Sequence, residues 1–216
     1  MRTDWVPLSA SALVIGAMSL VFGSVLNPVH TGATIDQLVE VVARDGERWL
    51  AMAVIYVFAG VTLILGLPCV LMLFDRRGRR LGLTGVSLLV VGAVGTCGYA
   101  TMMLLFRALV RDGAIQVDRL GDSASDTGLG VFVAGWALSL YGGVLATAVG
   151  LLLARTTARW VPLTMLGFVL VGPVSDQLGR LGSAMQVMAL AVAFTGVAMT
   201  AVSDDRQEAL LRRSVL

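Results

Sequence analysis

Six apolar stretches, 6–26, 49–74, 81–106, 129–153, 161–175 and 183–202, contain no Asp, Glu, Lys, Arg or His, and charge is confined to the gaps between them and the two ends. A hydrocarbon core about 30 Å thick needs roughly 20 apolar residues of helix. Five stretches reach that length. The fifth in order, "VPLTMLGFVLVGPVS", is shorter, covers about 22 Å at roughly 1.5 Å per residue, and carries Gly172-Pro173 near its end. It either spans with local thinning or is re-entrant, and the charge pattern below favours spanning. The pattern predicts an all-α fold: a polytopic membrane helical bundle of six transmembrane helices forming one integral membrane domain over 1–216. The first run is too long for the core of a signal peptide, and no A-x-A cleavage site follows, so it reads as an uncleaved span.

One gap has a pattern of its own. In "TIDQLVEVVARDGERW", Thr34 and Gln37 have capping-box spacing. Ile35, Leu38, Val39 and Val42 then share a helical face, with Gly46 as a stop signal. This predicts a short amphipathic helix on the outer surface, in the first outer loop. By contrast, "LGDSASDTG" in the second outer connection is polar and unpatterned.

Charge orients the chain. Arg76, Arg77, Arg79 and Arg80 fill the gap after the second span, and arginine-rich short loops stay in the cytoplasm. Alternating from there puts both termini and residues 154–160 inside as well. The inside segments then hold ten arginines and five acids, net +5, and the outside segments six arginines and nine acids, net −3. The expected location is the cell (plasma) membrane, multi-pass, with N- and C-termini cytoplasmic. Trp5, Trp49 and Trp160 sit at segment ends, where interfacial aromatics anchor. Trp136, inside the fourth segment, is expected to pack against a neighbour or lipid.

Composition agrees: the chain is 57% hydrophobic and 14% charged, against about 25% charged in soluble domains. A net charge of +2 makes no case for a nucleic-acid partner. Every basic side chain besides His30 is arginine, which removes lysine Schiff-base chemistry. Cys69 and Cys97 form no C-x-x-C pair and belong near opposite faces, so neither a metal site nor a disulfide is expected. Pro68, six residues before the inner end of the second span, is expected to kink it. "WVPL" opens spans at 5–8 and 160–163, and a D-x-L recurs in each outer connection. Three helical hairpins, 1–79, 80–159 and 160–216, are one reading of this, and chance recurrence in an apolar chain is the other.

Ionisable residues inside spans mark ion paths, proton relays and substrate sites, and none is present here. No Walker, G-x-S-x-G, H-E-x-x-H or metal-cluster motif occurs, no cofactor is implied, and the chain is expected to be a non-enzyme. His30 reads as a loop residue, or alternatively as a pH sensor or lone metal ligand. Three candidate features remain. Asp36, Asp118 and Asp176 form an outer-face cluster, read as caps and solvated charges or as converging carboxylates. Gly135, Ser139, Gly143 and Gly142, Ala146, Gly150 form two small-residue tracks on the fourth span, for packing inside the bundle or for a homo-oligomer face. Tyr56, Thr62, Thr96, Tyr99, Thr101, Ser139, Tyr141, Thr147, Gln186 and Thr195 are uncharged polar groups at span depth that either bond between helices or line a weakly polar cavity. The leading expectation is a lipid- or partner-binding accessory bundle whose partners are the lipid bilayer and a lipid or small amphipathic ligand. The alternatives are a transporter of a neutral or amphipathic compound, which requires a mid-membrane cavity, and a lipid-modifying enzyme using the outer carboxylates.

Overall fold

The computed structural model describes residues 5–29, 33–74, 78–114, 126–175 and 179–214; the side chains of 173–181 and 204–214 are not described. Among the described residues there are seven helices and no strand: α1 (Trp5–Leu26), α2 (Ile35–Arg44), α3 (Gly46–Leu71), α4 (Arg79–Arg111), α5 (Thr127–Ala154), α6 (Trp160–Ser175) and α7 (Gly179–Ser214). Five are long and apolar enough to cross a membrane; α6 is apolar but shorter.

The radial order of residues is that of a membrane protein. In α1 the buried positions include Ser9, Ala10, Gly16, Ala17, Ser19 and Gly23, while Leu8, Ile15, Phe22 and Val25 point outward. Leu138, Leu170 and Met199 are also largely exposed on their helices. A helix apolar on all sides is stable only when something apolar surrounds it. In lipid the association of helices depends on close packing, which small residues permit. The chain is therefore an integral membrane protein.

The six long helices form a closed ring. α1 packs on α3, α3 on α4, α4 on α5, α5 on α6, α6 on α7, and α7 returns to α1. Glycines set the antiparallel crossings. A Cβ on Gly66 would lie 2.4 Å from the Leu13 backbone, and one on Gly16 would lie 2.8 Å from the Leu63 nitrogen. On α4, Gly85, Gly92 and Gly95 face Thr147, Leu140 and Trp136 of α5 in descending register.

Pro68 lies inside α3, and its consequence is visible in the hydrogen bonds. The Cys69 N–H donates to Ser9 Oγ of α1 (3.1 Å), and that hydroxyl donates to the Leu65 and Gly66 carbonyls (both 2.9 Å). A side chain from the neighbouring helix is thus inserted into the helical ladder next to a proline, satisfying groups that lipid cannot.

α3 ends at Leu71, three residues before the apolar run does. Leu73 and Phe74 turn back instead. Phe74 is buried beneath Gly82 and Gly150, and the Leu73 carbonyl accepts from Thr156 Oγ1 at 2.8 Å. Hydropathy reports burial, and here the buried residues extend past the helix. This end of the bundle, carrying 72–74, Gly78 to Arg80 and 154–160, is the arginine end, and the opposite end is the α2 end.

At the α2 end, the Thr34–Gln37 capping box forms. The helix leans on the bundle: Val42 is buried with Trp49, Met52 and Met103, and Leu38 is half-buried beside them. Gly46 does not terminate α2. Asp45 closes α2 and opens α3 by itself, and the Gly46 carbonyl accepts from Arg107 Nε at 2.7 Å. Trp49 is not an interfacial anchor; it is buried and donates through Nε1 to the Met103 carbonyl at 2.9 Å. Trp5 and Trp160 are exposed.

Candidate functional site: an axial aromatic cavity

Closing a ring of six helices leaves an axis, and the side chains there decide whether it is solid. At mid-height they leave a cavity of about 260 Å³. Every helix of the ring contributes to its wall: Leu20 from α1, Tyr56 from α3, Thr96 and Tyr99 from α4, Trp136, Leu140 and Tyr141 from α5, Phe168 from α6, and Gln186, Val187 and Leu190 from α7. The chain has three tyrosines, and all three are here.

Glycine keeps the space open. A Cβ on Gly23 would meet the Tyr56 ring at 2.4 Å, one on Gly95 the Trp136 ring at 2.6 Å, and one on Gly172 the Tyr141 ring at 2.6 Å. Each of these rings therefore lies in a notch of the neighbouring helix instead of filling the axis. The rings also pair. Tyr99 stacks on Trp136 with centroids 4.9 Å apart, and Tyr141 on Phe168 at 5.2 Å, both nearly parallel. Such pairs are worth about 0.5–1.5 kcal/mol beyond the area they bury.

Hydrogen bonds fix part of the wall. Trp136 Nε1 donates to Thr96 Oγ1 (3.1 Å), and Thr96 donates to the Gly92 carbonyl (3.0 Å). Gln186 Nε2 donates to the Tyr141 hydroxyl (2.9 Å) and to the Phe168 carbonyl (3.2 Å), tying α7 to α5 and α6. The Tyr56 and Tyr99 hydroxyls carry no hydrogen bond among the described residues. No carboxylate, arginine or histidine belongs to the wall.

The two ends differ. Towards the α2 end, Tyr56 and Tyr99 also line a second cavity of about 200 Å³, whose other walls include Asn27, Leu38 of α2, Trp49 and Met103. Towards the arginine end, Leu63, Leu67, Leu89, Ala93 and Phe194 leave only about 10 Å³, roughly the least that can hold one water.

Of the ten polar residues at span depth, five line the cavity: Tyr56, Thr96, Tyr99, Tyr141 and Gln186. Thr62, Thr101 and Thr195 donate instead to carbonyls one turn back in their own helices, a local bond open to any helical threonine. Thr147 is buried against Gly85, its hydroxyl without a partner among the described residues. The sequence separates these groups only weakly. The usable signal is that phenols and carboxamides at span depth have no such local bond, whereas threonines do.

The other candidates are described only in part. Asp36 is exposed in the first turn of α2, and Asp118 and Asp176 lie outside the described residues, as does His30. The two tracks on α5 are split: Gly143 and Gly150 pack inward against Leu89 and Phe74, Gly142 meets only the tip of Leu88 at 3.8 Å, and Gly135 faces open space. Ser139 and Ala146 are half-buried. Both cysteines are free thiols, Cys69 beside Ser9 and Cys97 against Gly60. Comparison of the chain with protein-family models, curated proteins and solved structures gives no match.

Proposed function

We propose that the chain is a six-span membrane bundle that binds one small uncharged molecule in its axial cavity, with the arginine end cytoplasmic. The cavity itself carries this reading, because all six helices converge on it and glycines hold its aromatic wall back from the axis. Ligand sites are typically concave, mostly apolar and equipped with a few polar groups that fix orientation. The wall matches that description, and without an opposing charge it offers nothing to neutralise an ion in a low-dielectric setting.

The reading of α6 as a sixth span is supported by its antiparallel run along α7, from Trp160 beside Gly196 to Phe168 at the cavity wall. Orientation is supported by Arg79 and Arg80 in the first turn of α4. Cations are disfavoured at a helix N-terminus, so their presence there answers to sidedness. α2 then lies on the outer side, over the second cavity of about 200 Å³, which forms a vestibule to the first.

The test is extraction into native lipid discs, followed by mass spectrometry. One small uncharged molecule is expected at about one per chain, and Leu140→Trp, which fills the cavity, is expected to lose it. Equal recovery from the filled variant, or no bound molecule from the native chain, overturns the reading. The vestibule at one end and the apolar seal at the other also suit a carrier at rest, a second reading that requires the Leu63–Phe194 seal to open.

A further inference from the structure

The inventory of the cavity wall narrows the chemistry of the occupant; this inference rests on the binding reading above. Size is the first constraint. About 260 Å³ falls below the roughly 300–1,000 Å³ of drug-sized sites, which suits one ring with small substituents or one head group. Shape is the second. Two nearly parallel aromatic pairs, Tyr99–Trp136 and Tyr141–Phe168, supply π surfaces to the wall, and such faces favour flat partners.

Hydrogen bonding is the third constraint and the most selective. Trp136 Nε1 is spent on Thr96, the Thr96 proton on the Gly92 carbonyl, and Gln186 Nε2 on Tyr141 and Phe168. The Tyr141 oxygen accepts from Gln186, which leaves its proton free to donate. The Tyr56 and Tyr99 hydroxyls carry no bond among the described residues. A phenol is both donor and acceptor, but its lone pairs are partly delocalised into the ring, so it is the better donor. Three phenolic protons thus remain uncommitted among residues of a wall without cations or carboxylates.

We propose that the site takes a planar, uncharged ring bearing hydrogen-bond acceptors, the chemistry of a quinone or an aromatic ketone, held by the Tyr56, Tyr99 and Tyr141 hydroxyls. An aliphatic chain would leave the phenols unpaired. A quaternary ammonium ion would gain cation–π attraction but leave its charge buried without a counter-ion.

Two probes with one carbon skeleton isolate the acceptor. Duroquinone carries two ring carbonyls, and durene is the corresponding hydrocarbon with none. Binding of each is measured by equilibrium dialysis to the full chain in phosphatidylcholine nanodiscs, with empty discs subtracted. Duroquinone is expected to bind saturably at one site, at least about tenfold more tightly than durene, as two or more neutral hydrogen bonds imply. Tyr56→Phe and Tyr99→Phe are each expected to weaken duroquinone about three- to tenfold and to leave durene within about twofold. Phenylalanine keeps each ring, so the packing against Gly23 and Trp136 survives and a folding defect does not confound the readout. Equal binding of the two probes, indifference to the phenylalanine substitutions, or preferential binding of tetramethylammonium overturns the ring assignment and leaves the binding reading standing. Failure of both probes to bind also overturns it, and the co-purification experiment then judges the binding reading separately.

Discussion

At the residue scale, the structure turns on positions where one atom decides. Ser9 and Gly66 are examples. Ser9→Ala removes the acceptor of the Cys69 N–H and the donor to the Leu65 and Gly66 carbonyls. It is expected to lower stability by about 1–2 kcal/mol, measured by denaturant titration of the detergent-solubilised protein. Gly66→Ala drives a methyl into the Leu13 backbone, which cannot rotate aside, and is expected to cost about 1–3 kcal/mol. Gly135→Ala, where nothing lies within 4 Å, is expected to stay within about 0.5 kcal/mol. All three are helical small residues in an apolar run, and nothing in the sequence of one span tells which faces a neighbour. At Gly172 the same logic reaches the site: Gly172→Ala presses on Tyr141 and Gln186 and is expected to reduce the molecule co-purified in lipid discs while the bundle stays folded.

At the element scale, the start of α2 was the most legible feature, because an N-terminal cap is local chemistry, whereas its end falls at Asp45 and not at the Gly46 stop signal. The capping box and the face of Leu38 and Val42 are local properties, and the helix forms with that cap and buries that face. What the face rests on was not legible, because an apolar stripe fits lipid as well as it fits Trp49, Met52 and Met103. Since Leu38 also lines the vestibule, loosening α2 should affect access. Thr34→Ala removes the side-chain half of the cap and is expected to cost about 1 kcal/mol locally. Hydrogen exchange over 35–44 is expected to speed up, with exchange in α3 unchanged. The end of α3 shows the opposite case. The apolar run continues through Phe74, but the helix stops at Leu71 because Phe74 has a pocket beneath Gly82 and Gly150, and that pocket is supplied by residues far along the chain.

At the scale of the whole molecule, sidedness and the cavity belong together, since the vestibule and the seal occupy opposite ends. A protease-sensitive tag fused after Leu216 is expected to remain protected in intact cells. If the proposed orientation holds, replacing Arg76, Arg77, Arg79 and Arg80 with glutamine is expected to expose a fraction of those tags, because it removes the excess of positive charge on which that orientation rests. Protection unchanged by the four substitutions would remove the charge-based argument for orientation.

The sequence by itself determined that this is an integral membrane protein of apolar helices, which apolar run lies in each of them, though not that α4 and α7 continue past their runs to Arg111 and Ser214, and how α2 is capped at its start. These follow from transfer free energies and local hydrogen bonds, which depend on neighbours in the chain. Only the tertiary structure decided that the helices close into a ring, that Ser9 repairs the ladder beside Pro68, and that three tyrosines from α3, α4 and α5 meet around one space. In a chain apolar on every face, hydropathy does not distinguish the side of a helix that meets lipid from the side that meets protein. That choice is made by the fit of rings to glycine notches between helices, which no single helix contains.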